Sequence, residues 1–279
     1  MASADRIEPE HQESFIEPDN GRRYHSYHEG EYVLSHHIYR MLLKGELHRA
    51  PIKNPARVLD IGTGTGIWAI DFADPIQPSW IPPNCRFEVD DFEQTWPYSQ
   101  PFDYIHGREL EGFIRDHDHV FREAFKSLKP GGYFEISSID VNSYSDDDTH
   151  LRAKCMAEGV KNMHAASKMF GKDMNTTSTW KGRMERAGFV NVTDEVFKLP
   201  QSPWAKDPKL KELGKYHQVN MFEAIPPYCY ALFTRVLGWE RAEIETLCAG
   251  IRAELKDLSI HLYSEVHIVY GQKPETAES

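Results

Sequence analysis

Apolar and polar positions change period several times along the chain, and the changes outline a fold. Arg57-Val58-Leu59-Asp60-Ile61 is a short apolar run that ends in Gly62-Thr63-Gly64-Thr65-Gly66, and Ile67 to Ala73 can open a helix directly behind it. Strand, glycine turn and helix in that order start a parallel α/β sheet. Further strands are predicted at Arg86–Asp90, Phe102–His106 and Tyr133–Ile136. Between the last two, Val120, Phe121, Ala124, Phe125 and Leu128 share one helical stripe. Lys129-Pro130-Gly131-Gly132 should end that helix, Gly supplying the cap and Pro forbidding continuation.

Past Asp146-Asp147-Asp148 the pattern turns helical and Met-rich from Leu151 to Phe170, followed by a helix at Trp180–Ala187 and a strand at Phe189–Leu199. A second helical block covers residues 207–237, and Ile244, Leu247, Cys248, Ile251, Leu255 and Leu258 mark an amphipathic helix before a last strand at Val266–Tyr270. At the other end, residues 1–20 are acidic, polar and Pro-containing, which predicts a loose tail. Ile38, Met41 and Leu42 then predict a helix over Ser35–Leu47, capped by Ser35. The expected architecture is α/β: a doubly wound, mostly parallel sheet in a single domain over residues 21–279. A helical cap is drawn from residues 21–50 and 147–240. No internal repeat or low-complexity tract breaks the pattern.

Composition narrows the function classes. With 43 acidic and 32 basic side chains among 279 residues the formal net charge is -11, which disfavours attachment to nucleic acid or anionic lipid through bulk charge. Hydrophobic residues make up 40% of the chain, enough for a core. No apolar run approaches the roughly 18 residues that span a bilayer, and the first residues lack a signal-peptide core. A soluble intracellular protein is expected, in the cytoplasm or the nucleus; Arg22-Arg23 is too short a basic stretch to decide between the two. Cys85, Cys155, Cys229 and Cys248 form no CxxC pair, so buried reduced thiols are expected rather than disulfides or structural zinc.

The sharpest motif is Asp60-x-Gly62-x-Gly64-x-Gly66 immediately after a strand. A turn without side chains lets a ligand lie on bare backbone. The dinucleotide fingerprint G-x-G-x-x-G/A would need a small residue at position 67, where the helix must approach closely, and the chain has Ile67. The spacing fits instead the acid-x-Gly-x-Gly-x-Gly pattern of folds that bind S-adenosyl-L-methionine, with the turn under the methionine part and the acid at its ammonium group.

On these residues, together with Asn20-Gly21-Arg22-Arg23-Tyr24-His25-Ser26-Tyr27, the Pro-rich block from Pro75 to Cys85, Leu128-Lys129-Pro130-Gly131-Gly132 and Val269-Tyr270-Gly271-Gln272-Lys273-Pro274, the chain resembles the fungal LaeA-like methyltransferases of secondary metabolism. The likeness runs from Asn20 to Pro274. It implies a class I methyltransferase fold that binds S-adenosyl-L-methionine, with Asp60, Gly62, Thr63, Gly64 and Gly66 around the methionine portion, Asp90 and Asp91 near the adenosine, and Tyr24 in an N-terminal motif that either closes over the cofactor or packs its rings under a lid.

The chain also departs from that pattern. In the family a strand ending in an acid, the ribose ligand, lies between the first helix and the Pro-Ile-Gln-Pro block; here Ala73-Asp74 runs straight into Pro75, and Pro75, Pro78, Pro82 and Pro83 forbid an interior strand. A second shortening falls near Val33-Leu34. Either Phe87–Asp91 moves into the vacated place beside the first strand, so that Asp90 or Asp91 grips the ribose, or the cofactor site is broken. A gene model or splice form that omits coding sequence would read the same way.

Methyl transfer needs alignment, exclusion of water and, for a hydroxyl or amine acceptor, a base. Ligands in open α/β sheets sit at the carboxyl ends of the strands, which makes His106 the first candidate base and Glu109 the second. Asp116-His117-Asp118-His119 imitates a metal cluster but sits at a predicted helix start, where acids favour the helix dipole, so no metal site is expected. Met156, Met163, Met169 and Met174 suit an adaptable apolar pocket. The expected partner is a small-molecule substrate, an aromatic, polyketide-like or alkaloid metabolite. The competing expectation is a regulator of secondary metabolism that keeps the fold and acts through a protein partner.

Overall fold

The computed structural model describes residues 15–16, 24–25, 29–73, 82 and 84–275, with residues up to 32 as backbone only. Two short strands, β1 (Phe15–Ile16) and β2 (Tyr24–His25), pair antiparallel ahead of helix α1 (Glu29–Leu42). The main sheet is built from β3 (Val58–Ile61), β4 (Phe102–Arg108), β5 (Leu128–Ile139), β6 (Val190–Pro200) and β7 (Tyr263–Gln272) in the order β3-β4-β5-β7-β6. The β3–β4 and β4–β5 pairs are parallel, and β7 runs antiparallel to both neighbours. This is the expected α/β sheet, mixed because the chain returns through β7.

Alternate residues of the strands serve two faces. Ile105, Phe134, Ile136 and Val269 pack against Val120, Phe121 and Ala124 of α3 (His117–Ser127) and Trp180 and Met184 of α5 (Trp180–Arg186). On the opposite face Tyr104 meets Trp68 of α2 (Ile67–Ala73), while Val266 and Ile268 meet Ile38, Tyr39 and Leu43 at α1. A further apolar cluster joins α4 (Lys154–Phe170), α6 (Pro208–Cys229), the wide-turned helix Tyr230–Leu237 and α7 (Arg241–Lys256) through Met156, Met163, Phe233, Ile244 and Ile251. These helices form the cap; it takes in α7, past the residue 240 at which the expected cap ends, while α1, from its expected first part, packs on the sheet instead. None of the described helices is long and apolar enough to cross a membrane.

Three expectations are corrected. Helix α1 begins at Glu29, so Ser35 lies inside it rather than capping it. Lys129–Gly132 does not separate helix from strand; β5 starts at Leu128, whose partner is Phe102, and the next pair is Tyr104 with Tyr133, so these residues bulge away from β4 while Gly131 and Gly132 still bond the backbone of Lys273. Gly131 takes the left-handed φ of 78° that this excursion needs. Most consequential, Arg86–Asp90 is not a strand: it carries no ladder, and Phe87 and Val89 are 39% and 50% exposed. Among the described residues nothing pairs with the outer edge of β3. The Pro-rich block before it, residues 74–81 and 83, lies outside the described residues. All four cysteines are free; Cys229 and Cys248 are buried as expected, Cys85 and Cys155 only half-buried.

Candidate active site

The carboxyl ends of β3, β4 and β5 open into a cavity of about 350 Å³. One end is the backbone of Gly62, Thr63, Gly64 and Thr65 with the Asp60 carboxylate; the other is the apolar underside of the cap, with Met156, Met163, Met174, Met221 and Ile251. Gly62, Gly64 and Gly66 all have positive φ (65°, 57° and 80°), so the turn holds a shape that side chains would strain. A Cβ on Gly62 would collide with Leu110 Cδ2, and Phe92 lies just beyond. The turn, the loop after β4 and residue 92 therefore form one wall.

Sheet register aligns Asp60 of β3 with His106 of β4 and Glu135 of β5. His106 is buried, donates from Nδ1 to Asp60 Oδ1 at 2.7 Å, and stacks on Trp68 at 3.6 Å between ring centroids with 7° between planes. Burial pushes the imidazole down from its usual range against the opposing pull of Asp60, so the ring is neutral near pH 7, with the Nδ1 proton held by the carboxylate. Glu109 follows three residues later at φ 54°, a left-handed conformation in a non-glycine residue. Its Oε1 accepts from Tyr39 Oη at 2.6 Å and its Oε2 from Ser138 Oγ at 3.2 Å. Burial raises its pKa, and these hydrogen bonds and Arg108 hold the rise back. Both oxygens of Glu109 are thus engaged.

Sequence reasoning does not single out Glu111. It is buried beside the cavity, its Oε1 accepts from the Thr176 and Thr177 amides at 2.7 and 3.0 Å, and its Oε2 has no partner among the described residues. Desolvation first, and the Asp140 carboxylate second, push it up to about 8.

A methyltransferase domain family model matches residues 34–194, more than half of the chain and all of the glycine-turn end of the cavity. The chain belongs to the methyltransferase domain family. Relatives include methyltransferase pytC of Aspergillus terreus, 36% identical over 91% of this chain and 87% of that one. The probable methyltransferase tdiE of Emericella nidulans is 31% identical over 87% and 80%. The secondary metabolism regulator LAE1 of Cochliobolus heterostrophus is 29% identical over 92% and 94%. The likeness to fungal LaeA-like methyltransferases that the motifs imply is thus borne out over most of the chain. Among solved structures, the YcgJ protein of Bacillus subtilis is 18% identical with a TM-score of 0.46 over 86% of this chain and 99% of that one.

In this methyltransferase Asp60, Gly62, Thr63, Gly64, His106 and Glu109 all line one cavity. Gly66 stands behind them, the ring of Phe87 covering it at 2.5 Å from where a Cβ would be. Asp90 and Asp91 are exposed and do not line the cavity; Asp90 Oδ1 accepts from the Asp91 amide and Asp91 Oδ1 from the Glu93 amide, so both close a local turn. Tyr24 is placed only as backbone in β2, and its side chain lies outside the described residues. Asp116 caps α3 by accepting from the His119 amide at 2.9 Å, while His117 is buried with Nε2 3.2 Å from Thr176 Oγ1, so the four residues point apart. Among the described residues no group of three His, Cys, Asp or Glu side chains is arranged to hold a metal. Besides Glu111, the sequence hid Trp68, Gln201, His217 and Asn220, all of them cavity residues. Only Glu111 carried a readable signal, its place in the loop after a strand that ends at the site.

Proposed function

We propose that this methyltransferase uses S-adenosyl-L-methionine to methylate a small-molecule secondary metabolite, in the cytoplasm or nucleus, with residues 21–279 acting as one domain. The residues present fit that cofactor: Gly62–Thr65 offers bare backbone in a left-handed turn, and Asp60 offers a carboxylate fixed by His106. Bound there, it would supply a methyl group activated by a sulfonium, so the chain itself has only to position an acceptor and keep water out. The apolar cap does the second. His106 serves by locking Asp60 and the α2 face through Trp68, and Glu109 by fixing the loop that follows β4. Glu111 is the group best suited to take a proton from an acceptor hydroxyl, because Oε2 is unengaged and its pKa of about 8 is near the working pH.

The observation that carries this reading is the continuity of the glycine-turn wall with the apolar cap in one cavity. A second reading, a catalytically impaired fold that regulates secondary metabolism through a protein partner, is favoured by the position of Asp90 and Asp91 away from that cavity. Isothermal titration with S-adenosyl-L-methionine separates the two. Saturable one-to-one binding supports the enzyme, and no heat at about 1 mM cofactor leaves only the regulator.

A further inference from the structure

The underside of the cap is mostly apolar, with methionines and Ile251 along it. Gly214 of α6 lies so close to the chain at Ser202 that a Cβ there would collide with the Ser202 carbonyl oxygen, so the helix can rest on that backbone only through glycine. His217 and Asn220 follow three and six positions further along the helix, about 60° apart from each other around its axis, and both line the cavity. Gln201, next to Ser202, lines it too. The close approach of α6 thus gathers three polar side chains at one edge of the pocket.

Their bonding is incomplete in a consistent way. His217 is 3% exposed and neither ring nitrogen has a partner among the described residues. Asn220, 8% exposed, leaves Oδ1 without one. Gln201 is 1% exposed; its Nε2 donates to Ser143 Oγ at 2.8 Å and Ser264 Oγ at 2.9 Å, which fixes the amide and leaves Oε1 open. Buried polar atoms are paired about nine times in ten, and one left without a partner destabilises the fold. Several gathered on one cavity wall are explained by a ligand that completes them.

Resting on the methyltransferase reading of the cavity, we infer that His217, Asn220 and Gln201 form the recognition edge for the methyl acceptor, a largely apolar metabolite that presents an uncharged hydroxyl or amide N–H there. The open atoms of Asn220 and Gln201 accept hydrogen bonds, so the ligand must donate. Desolvation pushes His217 down to about 3, so the ring is neutral and offers one donor and one acceptor nitrogen. An anionic acceptor would meet two carbonyl oxygens and no cation at this edge. The methionines that also line the cavity supply soft apolar contact for the rest of the molecule.

The test uses 7-hydroxycoumarin and its 7-methoxy analogue as probes, titrated into the full chain with and without S-adenosylhomocysteine and followed by fluorescence. The hydroxyl compound is expected to bind roughly tenfold tighter, the value of one well-made hydrogen bond. The preference should fall to within about twofold in His217→Phe and Asn220→Leu, and be partly kept in His217→Gln. Neither apolar variant should lose thermal stability, because each removes a buried unpaired polar group. Equal affinity for the two probes, a preference that survives both apolar substitutions, or no binding of either probe at about 1 mM overturns the inference. Should one variant fail to fold, the other decides. Binding of S-adenosylhomocysteine without hydroxyl preference removes this inference alone, whereas preference without nucleoside binding keeps the recognition edge and removes the methyltransferase reading.

Discussion

Replacing Glu111 with glutamine should make the protein more stable and less active, and the size of the first effect follows from the site. The carboxyl is buried, Oε1 is held by two amides and burial carries its pKa from 4.5 to about 8. Folding at neutral pH therefore takes up a proton that the unfolded chain does not bind. The sign is that of a raised carboxyl: its favourable contribution is complete below the unfolded pKa and is lost as pH climbs toward the folded one. At about 1.36 kcal/mol per pH unit the loss between pH 4.5 and 7 is roughly 3 kcal/mol. The substituted amide would keep an oxygen for the Thr176 and Thr177 amides and carries no proton to lose, so E111Q should exceed the parent by roughly 2–3 kcal/mol at about pH 7 and by little near pH 4. For a chain of this size that is roughly a 5–10 °C rise in Tm. Thermal unfolding followed by circular dichroism from about pH 4 to 8 measures it. A variant that melts at or below the parent at about pH 7–8, or a difference that does not grow with pH, would show that Glu111 is not held protonated by burial. Turnover of the parent should rise with pH through about 8, and the variant should be slow and flat.

Other substitutions address neighbouring parts of the site. Gly62→Ala forces a Cβ against Leu110 at φ 65°, and should weaken binding of S-adenosyl-L-methionine at least about tenfold in calorimetry, with a stability loss of about 1–3 kcal/mol. His106→Phe keeps the stack on Trp68 but leaves the Asp60 carboxylate without its partner; a fall in cofactor affinity larger than the fall in turnover at saturation is expected, and the reverse would make His106 the base. Asp207→Ala removes the side chain that accepts from the Lys209 and Leu210 amides at the start of α6, and should lower stability by about 1 kcal/mol in denaturant titration without changing cofactor binding.

Local pattern was enough wherever a segment pairs or packs with its full length. The Val58–Ile61 run, the stripe from Val120 to Ala124 and the face from Ile244 to Leu255 all became the elements their periodicity implies. Phe87–Asp90 failed for a reason periodicity cannot express. Its alternation suits a strand, but a strand also needs a partner edge, and the outer edge of β3 is not joined to it. The segment instead lies near the glycine turn, with Phe87 over Gly66. The same gap between local and tertiary information hid the rest of the site. Asp60 and the glycines were legible because the turn itself dictates them, whereas Gln201, His217 and Asn220 acquire meaning only when Gly214 brings α6 onto Ser202. Prolines at 226 and 227 would ordinarily end a helix, yet α6 runs through them to Cys229 and continues into the wide-turned helix Tyr230–Leu237.

A crystal of the full chain grown with S-adenosylhomocysteine tests the seat of the cofactor most directly. The nucleoside should lie in the cavity against the backbone of Gly62–Thr65, beside the Asp60 carboxylate, with the cap end left open for an acceptor. Finding the glycine turn covered by residues 85–92 and the compound bound elsewhere or absent would contradict the methyltransferase assignment of this cavity.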